Sequence, residues 1–389
     1  MENRNRRELD ERIQRHFDVF KQAIVLLGAR QVGKTTLLRR IFPDALYLLI
    51  DEEKTRAALE AFDSVTYRSL IGEAQMIILD EIHLLSNPGR AVKIIYDQFP
   101  GLKIAVTGSS SLHIKNRTSE SMAGRSITYE LYPLTFAEYI FQLGAVNDLK
   151  PTIFDKILRA DASESFGLFD KQQMLENILL YGQYPEVINT PEDRVYLANL
   201  ADSAIFKDII ELDLIDNRAK AKDLLRALAY QIGNLVNYAE LARKIGLSQN
   251  TVKRYIEIFE QSFILYRVYP FSRNKRNEIG RMPKIYFWDL GLRNALIDNF
   301  QQLKTRDDSG AMFENFIISE VKKSITYMRS DYKVNYWRTK NGSEVDLILS
   351  NHSDLLAVEI KTRKGEVSKA FLNRYPEART HVVTTENFF

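Results

Sequence analysis

A glycine-rich stretch near the start of the chain could hold the phosphates of a nucleotide. Residues 28–35 read Gly-Ala-Arg-Gln-Val-Gly-Lys-Thr and fit G-x-x-x-x-G-K-[ST] at every fixed position. An apolar run at 23–27 precedes the stretch, and 36–40 has the composition of a starting helix. This strand–loop–helix context distinguishes a phosphate loop from a chance match. The predicted nucleotide-binding residues are Gly28, Ala29, Arg30, Gln31, Val32, Gly33, Lys34, Thr35 and Thr36.

The residue types in this loop suit the binding of phosphate and of a metal ion. Gly28 and Gly33 let the backbone curl so that its N–H groups point at phosphate oxygens. The N-terminus of the following helix adds partial positive charge at the same place. Lys34 is placed to reach the β- and γ-phosphates, and the Thr35 hydroxyl to ligate Mg²⁺. The predicted ligands are therefore ATP and Mg²⁺.

Two carboxylates end the predicted strand 75–80 and could complete this site. The carboxyl ends of strands are where open α/β sheets place ligands. We expect Asp80 to hold Mg²⁺ through its water shell, and Glu81 to accept a proton from the water that attacks the γ-phosphate. His83 completes the D-E-x-H box of some helicases, but we interpret it as a helix-start or loop residue.

Two further residues each allow two interpretations. Thr107 ends the predicted strand 103–107, where its hydroxyl could sense the γ-phosphate or merely cap a helix. Arg125 precedes the predicted strand 126–131 and could complete a neighbouring subunit's site as an arginine finger. Its alternative is a surface salt bridge.

Short apolar strands alternate with helices through the first third of the chain. Such alternation predicts a parallel sheet covered on both faces, hence an α/β fold. Predicted strands are 23–28, 45–50, 75–80, 103–107 and 126–131, and predicted helices are 34–41, 53–62, 66–72 and 88–99.

These motifs together resemble a known family. Gly28–Thr36, Leu79–Glu81, Thr107–Ser111, Gly124-Arg125 and the sequence Tyr-Pro-Leu-Thr-Phe-Ala-Glu-Tyr at 132–139 look like those of archaeal and bacterial AAA+-type ATPases that end in a restriction-endonuclease-like domain. The resemblance implies that the Thr107 strand lies between the phosphate-loop strand and the Asp80 strand. Residues 181–186 resemble a second signature of the family, in which similar proteins carry a second glycine where this chain has Gln183.

Beyond the predicted sheet, a largely helical stretch leads to a predicted winged helix. Residues 238–245 and 249–256 read as two helices joined by a tight Gly246 turn, and 263–269 with 284–288 read as a hairpin. Residues 237–290 carry ten Lys or Arg against five Asp or Glu. DNA contact here is one interpretation and a packing module is the other. The predicted DNA-contacting residues include Asn250, Lys253, Arg254, Arg273, Lys275 and Arg276.

The C-terminal stretch could carry a second chemistry. Asp346 on one predicted strand and Glu359-x-Lys361 on the next form the pattern of PD-(D/E)xK nucleases. Glu359 and Lys361 are two residues apart on a strand, so they face the same side. Asp346 and Glu359 could hold a hard cation, and Lys361 could orient or deprotonate a water.

The match to the nuclease pattern has one departure. Val345 stands where a proline normally precedes the aspartate. Glu314, on a predicted helix at 310–321, resembles the family's helical carboxylate, with Glu320 as a less favoured substitute. The alternative is an ordinary sheet with charges on a wet face.

The composition of the chain limits the classes of protein to which it can belong. The chain has 389 residues, 45% hydrophobic content and a net charge of +3, so no global field indicates nucleic acid. The absence of cysteine excludes disulfides and thiolate chemistry and fits a reducing cytosol. No apolar run approaches a membrane span or a signal peptide, so we expect a cytoplasmic protein with no membrane partner.

These observations predict a four-part, multidomain ATPase. The expected parts are an AAA+ core with an N-terminal helix at 1–140, a helical lid at 141–232, a winged helix at 233–300 and a small α/β restriction-endonuclease-like domain at 305–389. The predicted function is Mg-dependent ATP hydrolysis coupled to DNA binding, with DNA cleavage as a further option. The alternative is an ATP-driven signalling or scaffolding switch that acts on a protein partner, and an oligomer is compatible with either.

Overall fold

The chain forms two compact units in a computed structural model that describes residues 5–108, 122–160, 170–190, 193–203, 215–273 and 282–389. One unit comprises Met1–Tyr132 with Gln261–Phe263, and the other comprises Pro133–Glu260 with Ile264–Phe389. The predicted boundaries at residues 140, 232 and 300 stay predictions.

The first unit is built on a five-stranded parallel sheet, as predicted. Its strand order is β2-β3-β4-β1-β5, so the Thr107 strand lies between the phosphate-loop strand and the Asp80 strand. The three central strands are almost wholly buried because helices cover both faces. The strands are β1 (Ala23–Leu27), β2 (Leu46–Leu49), β3 (Met76–Asp80), β4 (Lys103–Gly108) and β5 (Ser126–Glu130).

The helices of this unit begin where side chains can satisfy the first backbone N–H groups. Asp63 accepts from Val65 N and Thr66 N, and Asn87 accepts from Arg90 N. The helices are α1 (Asp10–Gln14), α2 (His16–Val19), α3 (Lys34–Ile41), α4 (Glu53–Glu60), α5 (Ser64–Ile71) and α6 (Pro88–Gln98).

The second unit is largely helical at its start. Capping boxes at Thr135/Glu138 and Thr152/Asp155 begin its first two helices. The helices are α7 (Phe136–Gln142), α8 (Ile153–Arg159), α9 (Lys171–Tyr181), α10 (Pro185–Asn189), α11 (Arg194–Asp202) and α12 (Arg218–Tyr230). Within the described ranges, no helix is both long enough and apolar enough to cross a bilayer.

The segment predicted as a winged helix contains two helices and a strand pair. α13 (Tyr238–Ile245) ends at Gly246, whose φ of +72° turns the chain sharply into α14 (Gln249–Gln261). β6 (Leu265–Val268) and β7 (Lys284–Phe287) then pair antiparallel. These elements occupy the predicted positions, with the residues 274–281 between the strands outside the described part of the chain.

The C-terminal part joins a long helix to a four-stranded sheet of order β11-β10-β9-β8. The two strands predicted to carry Asp346 and Glu359 are present, whereas the short last helix and last strand were not predicted. β11 pairs parallel to β10, and the other two pairs are antiparallel. The elements are α15 (Leu290–Leu296), α16 (Ser309–Met328), β8 (Lys333–Arg338), β9 (Glu344–Ser350), β10 (Leu355–Ile360), α17 (Lys369–Arg374) and β11 (Arg379–Val383).

Candidate functional site

The predicted phosphate loop joins β1 to α3 and packs against the main chain beyond β5. A Cβ atom at position 28 would lie 2.1 Å from the Leu131 carbonyl oxygen, so only glycine fits there. Gly33 has a φ of +94°, a conformation that a side chain would strain. Because α3 begins directly after Gly33, the N–H groups of its first turn lack acceptors within the helix. The local structure therefore suits an anionic ligand.

The Lys34 ammonium turns back onto its own loop. Nζ donates to the carbonyl oxygens of Gly28 at 2.9 Å and Ala29 at 2.8 Å. Lys34 is buried, with only 6% of its surface exposed. Charge-assisted hydrogen bonds to phosphate are stronger than those to neutral carbonyls. We therefore expect Lys34 to exchange these carbonyls for phosphate oxygens when a nucleotide binds.

Arg7 contacts the phosphate loop although it lies outside the loop in the sequence. Its guanidinium is buried and donates to the carbonyl oxygens of Val32 at 2.9 Å and Tyr132 at 2.7 Å. No local sequence pattern marks Arg7 for this role. Only the tertiary contact reveals this residue, because it lies 25 positions from Val32.

Three hydroxyl groups converge on the Asp80 carboxylate at the end of β3. Thr35 donates to Oδ2 at 2.8 Å and Tyr47 donates to the same oxygen at 2.6 Å. Thr107 donates to Oδ1. Burial and the neighbouring Asp80 raise the pKa of Tyr47, so its phenol remains a donor. The structure thus brings together the predicted Thr35, Asp80 and Thr107 and adds Tyr47, which the sequence analysis missed.

Glu81 follows Asp80 in a left-handed conformation, with φ +60° and ψ +44°. Its backbone N–H donates to the Thr107 hydroxyl at 3.1 Å. Thr107 therefore accepts from Glu81 and donates to Asp80. Its hydroxyl links the acidic pair in this structure, and the γ-phosphate sensing role stays a prediction.

Arg125 forms a salt bridge in this structure. Its Nε and Nη2 atoms lie 2.9 and 3.2 Å from the two carboxylate oxygens of Asp97 on α6. Hydrogen bonding to Arg125 lowers the pKa of Asp97. This is the simpler of the two interpretations of Arg125, and the arginine-finger role stays a prediction.

In the C-terminal part, Glu314 on α16 is paired with a buried lysine. Lys284 Nζ lies 3.0 Å from Glu314 Oε1 and 2.5 Å from Glu344 Oε1. The Tyr286 hydroxyl also donates to Glu314, at 2.5 Å. Burial raises the pKa of Glu314, and the Lys284 charge opposes that rise. The helical carboxylate therefore has an internal cation beside it.

Asp346, Glu359 and Lys361 meet as the nuclease pattern predicts. Lys361 Nζ lies 2.9 Å from Asp346 Oδ2 and 2.8 Å from Glu359 Oε1. Burial and Asp346 raise the pKa of Glu359. Its Oε2 atom is buried without a hydrogen-bond partner. However, among the described residues no three His, Asp or Glu side chains are grouped so as to hold a metal.

Glu320 does not belong to this cluster, so the substitute role considered for it was wrong. Its Oε2 accepts from the Phe136 N–H at 2.7 Å, and its Oε1 accepts from Gln183 Nε2 at 3.0 Å. Lys323 Nζ donates to Glu320, Gln183 and the Leu134 carbonyl. Glu320 is therefore part of a buried network that joins the two signature segments to α16.

In the second signature, the main chain packs closely against Asp289 at the residue before Gln183. Gly182 has a φ of +84°, and a Cβ there would lie 2.3 Å from Asp289 Oδ1. The Gln183 N–H donates to Asp289 Oδ2 at 2.6 Å. Position 183 thus accommodates glutamine because its side chain points into the network of Glu320 and Lys323.

The basic residues predicted to contact DNA differ in their surroundings. Arg254 pairs with Asp216, and Arg273 pairs with Glu377. Lys253 Nζ lies 5.6 Å from the centre of the Tyr238 ring. Asn250 is exposed at the start of α14, whereas Lys275 and Arg276 lie outside the described residues. The two ion pairs reduce the charge that this face offers to phosphate.

Three family models match successive parts of the chain. An AAA domain matches residues 20–140. Domains of unknown function match residues 172–303 (DUF8612) and 309–388 (DUF4143). The matched AAA segment contains the loop at 28–36, Asp80, Glu81 and Thr107.

Two relatives that match most of the chain carry no named activity. It is 25% identical over 379 residues to an uncharacterized protein of Methanocaldococcus jannaschii, which covers 90% of this chain and 78% of that protein. It is also 25% identical over 343 residues to an uncharacterized protein of Mycobacterium tuberculosis, with 87% and 70% covered.

The comparison with solved structures gives a partial match. A Walker-type ATPase of Pyrococcus abyssi superposes with a TM-score of 0.47 at 14% identity, covering 74% of this chain and 94% of that one. At this TM-score the likeness supports no conclusion by itself. The AAA match and the loop geometry do support a conclusion. The chain carries a P-loop ATPase domain of the AAA type, followed by segments that match families of unknown function.

Proposed function

We propose that this protein hydrolyses ATP with Mg²⁺ at the edge of the five-stranded sheet. The observation that carries the proposal is the convergence of Thr35 and Thr107 on Asp80, beside the loop that holds Lys34. An ordinary glycine-rich turn would not require a lysine, a helix N-terminus and a buried carboxylate at one place. The AAA match over residues 20–140 supports the same function.

The residues present fit a magnesium ion. Thr35 Oγ1 and Asp80 Oδ2 lie 2.8 Å apart, and both are the hard oxygen donors that Mg²⁺ prefers. Tyr47 and Thr107 hold the carboxylate in place when the Thr35 hydroxyl turns toward the cation. A bound Mg²⁺ would neutralise charge on the β- and γ-phosphates.

Two parts of the chain then act on the nucleotide itself. Loop amides and Lys34 bind and orient the β- and γ-phosphates, so that the charge that builds up on transfer is stabilised. Glu81, one residue beyond Asp80, accepts the proton of the attacking water. Thr107 fixes the backbone of Glu81 relative to Asp80 because its hydroxyl bonds both residues.

The first test is phosphate release by the purified protein. With excess Mg²⁺ the wild type should turn over ATP, and chelation with EDTA should abolish turnover. Asp80→Asn should lower kcat about 100-fold or more, since it weakens the metal site and the three-hydroxyl cluster. Asp44→Asn is the matched control because Asp44 is an exposed acid of the same unit. Equal rates in Asp80→Asn and wild type would contradict the proposal.

We also propose that the C-terminal cluster cleaves nucleic acid. Direct contact of Lys361 with both Asp346 and Glu359 supports this second function. The partnerless Glu359 oxygen leaves this carboxylate able to accept a cation. Asp346 and Glu359 would then hold a divalent ion, which would polarise a phosphodiester. Lys361 would orient the attacking water.

Nicking of supercoiled plasmid in Mn²⁺ tests this second function. Asp346→Ala should abolish nicking and leave ATP turnover unchanged, because Asp346 accepts its hydrogen bonds from the Ile360 N–H and the Lys361 ammonium in the C-terminal part of the chain. Asp307→Ala, at an exposed acid of the same unit, is the control. Nicking that persists in Asp346→Ala would assign the cleavage to another site or to a contaminant.

The partner of the ATPase cycle stays a prediction. Asn250 and Lys253 remain the described residues best placed for DNA contact, because Arg254 and Arg273 have acidic partners. A protein partner and an oligomer are equally compatible with the site described above.

A further inference from the structure

The peptide group between Val32 and Gly33 is held by an arginine from the start of the chain. Arg7 Nη1 donates to the Val32 carbonyl oxygen at 2.9 Å. In a planar trans peptide the C=O and the N–H point in opposite directions. The bond to Arg7 therefore fixes where the Gly33 N–H points, which is away from the guanidinium. Gly33 directly precedes α3, and its N–H is one of the amides of the phosphate loop.

The glycine at position 33 makes this orientation easy to lose. Gly33 has a φ of +94°, and glycine adopts positive and negative φ about equally well. The peptide group that precedes it can therefore rotate at little steric cost when nothing holds its carbonyl. A rotated group would present an oxygen to an anion where the N–H should be. The hydrogen bond on the Val32 oxygen opposes this rotation.

The arginine that supplies this bond is itself anchored. Its Nη2 atom donates to the Tyr132 carbonyl oxygen at 2.7 Å, so one planar guanidinium ties the loop to the chain beyond β5. The helix that follows Arg7 is fixed to α3, because Asp10 Oδ1 accepts from Arg40 Nη2 at 2.6 Å. Arg7 is only 4% exposed. Its guanidinium is therefore a fixed point inside the first unit.

We propose that Arg7 is a positioning residue for nucleotide binding, which holds the Val32–Gly33 peptide group with its N–H available to a phosphate oxygen. This inference rests on the proposed function, because the phosphate loop binds the nucleotide in that reaction. Hydrogen bonds to a charged phosphate are stronger than those between neutral groups. Loss of Arg7 should therefore raise the Kd for ATP and loosen the loop in the nucleotide-free protein.

The first measurement is the Kd of a fluorescent ATP analogue in excess Mg²⁺. Arg7→Met removes both donors, and Kd should rise about 10- to 100-fold, the usual loss of a hydrogen bond to a charged group. Arg7→Lys keeps the positive charge, but its side chain is shorter and lacks the planar fork, so Kd should rise at least about fivefold. Arg15→Met, at an exposed arginine of the same N-terminal segment, is the matched control and should keep the wild-type Kd.

Amide hydrogen exchange of the nucleotide-free protein separates positioning from a general loss of stability. In Arg7→Met, peptides that cover residues 28–36 should exchange faster than in wild type. Peptides that cover β3 and β4 should keep their wild-type exchange rates. Faster exchange throughout the first unit would mean that Arg7 only stabilises the fold, and it would overturn the inference.

The outcomes separate this inference from the function on which it rests. Wild-type protein that does not bind the analogue would overturn the proposed function and this inference with it. A wild type that binds, together with an Arg7→Met variant of equal affinity, would overturn the inference alone. An Arg7→Lys variant with wild-type affinity would show that charge suffices without the fork, and it would overturn the inference too. If Arg7→Met fails to fold, Arg7→Lys decides by the same two measurements.

Discussion

A Glu81→Gln variant is expected to bind ATP as the wild type does and to hydrolyse it about 100- to 1,000-fold more slowly. The amide cannot accept the proton of the attacking water, and general-base catalysis of this kind contributes about 10²–10⁴ in rate. Glutamine keeps the shape of glutamate. The bonds of Asp80 with Thr35 and Tyr47 are not touched. The loss should therefore lie in kcat.

Single-turnover phosphate release and the affinity for a fluorescent ATP analogue measure the two quantities separately. Glu73→Gln is the matched control, since Glu73 is an exposed glutamate of the same unit. A Glu81→Gln variant with wild-type kcat would show that another group takes the proton. A variant that loses binding as well would show that Glu81 supports the loop.

The Lys323→Met variant is expected to destabilise the second unit by about 3–5 kcal/mol, the usual effect of removing one partner of a buried ion pair. Lys323 has an exposed fraction of 0%, and its Nζ lies 3.1 Å from Glu320 Oε1. Without the ammonium, the Glu320 carboxylate stays buried and uncompensated. The Leu134 carbonyl and Gln183 Oε1 lose a donor at the same time.

Thermal unfolding followed by circular dichroism measures this loss. We expect the transition of the second unit to fall by roughly 10 °C, given about 2–4 °C per kcal/mol for domains of this size. Lys333→Met is the control because Lys333 is an exposed lysine on β8. Adding Glu320→Gln to Lys323→Met should recover part of the stability, since no buried charge then remains. A double variant less stable than the single one would contradict this account.

The same network explains why the two signature segments matter to the fold. The first supplies the Leu134 carbonyl and the Phe136 N–H, and the second supplies the Gln183 side chain. Lys323 and Glu320 on α16 satisfy all three groups. Buried polar groups without partners are costly, so these chain segments must return to one helix.

The strands and the phosphate loop could be predicted because their signals are local. Alternating apolar runs and a contiguous G-x-x-x-x-G-K-[ST] match depend on neighbours in the chain. The strand order followed from a family resemblance, not from periodicity. The last strand, β11, was missed because only one of its five residues is buried, so it lacks a clear apolar pattern.

What the sequence by itself determined is which residue types stand at the two candidate sites: Lys34, Thr35 and Asp80 at one, Asp346 and Lys361 at the other. Tertiary structure alone decided which further groups act on them. Arg7, Tyr47 and Lys284 lie far along the chain from the groups they contact. Their side chains become neighbours only when distant segments pack, and no local pattern encodes that packing.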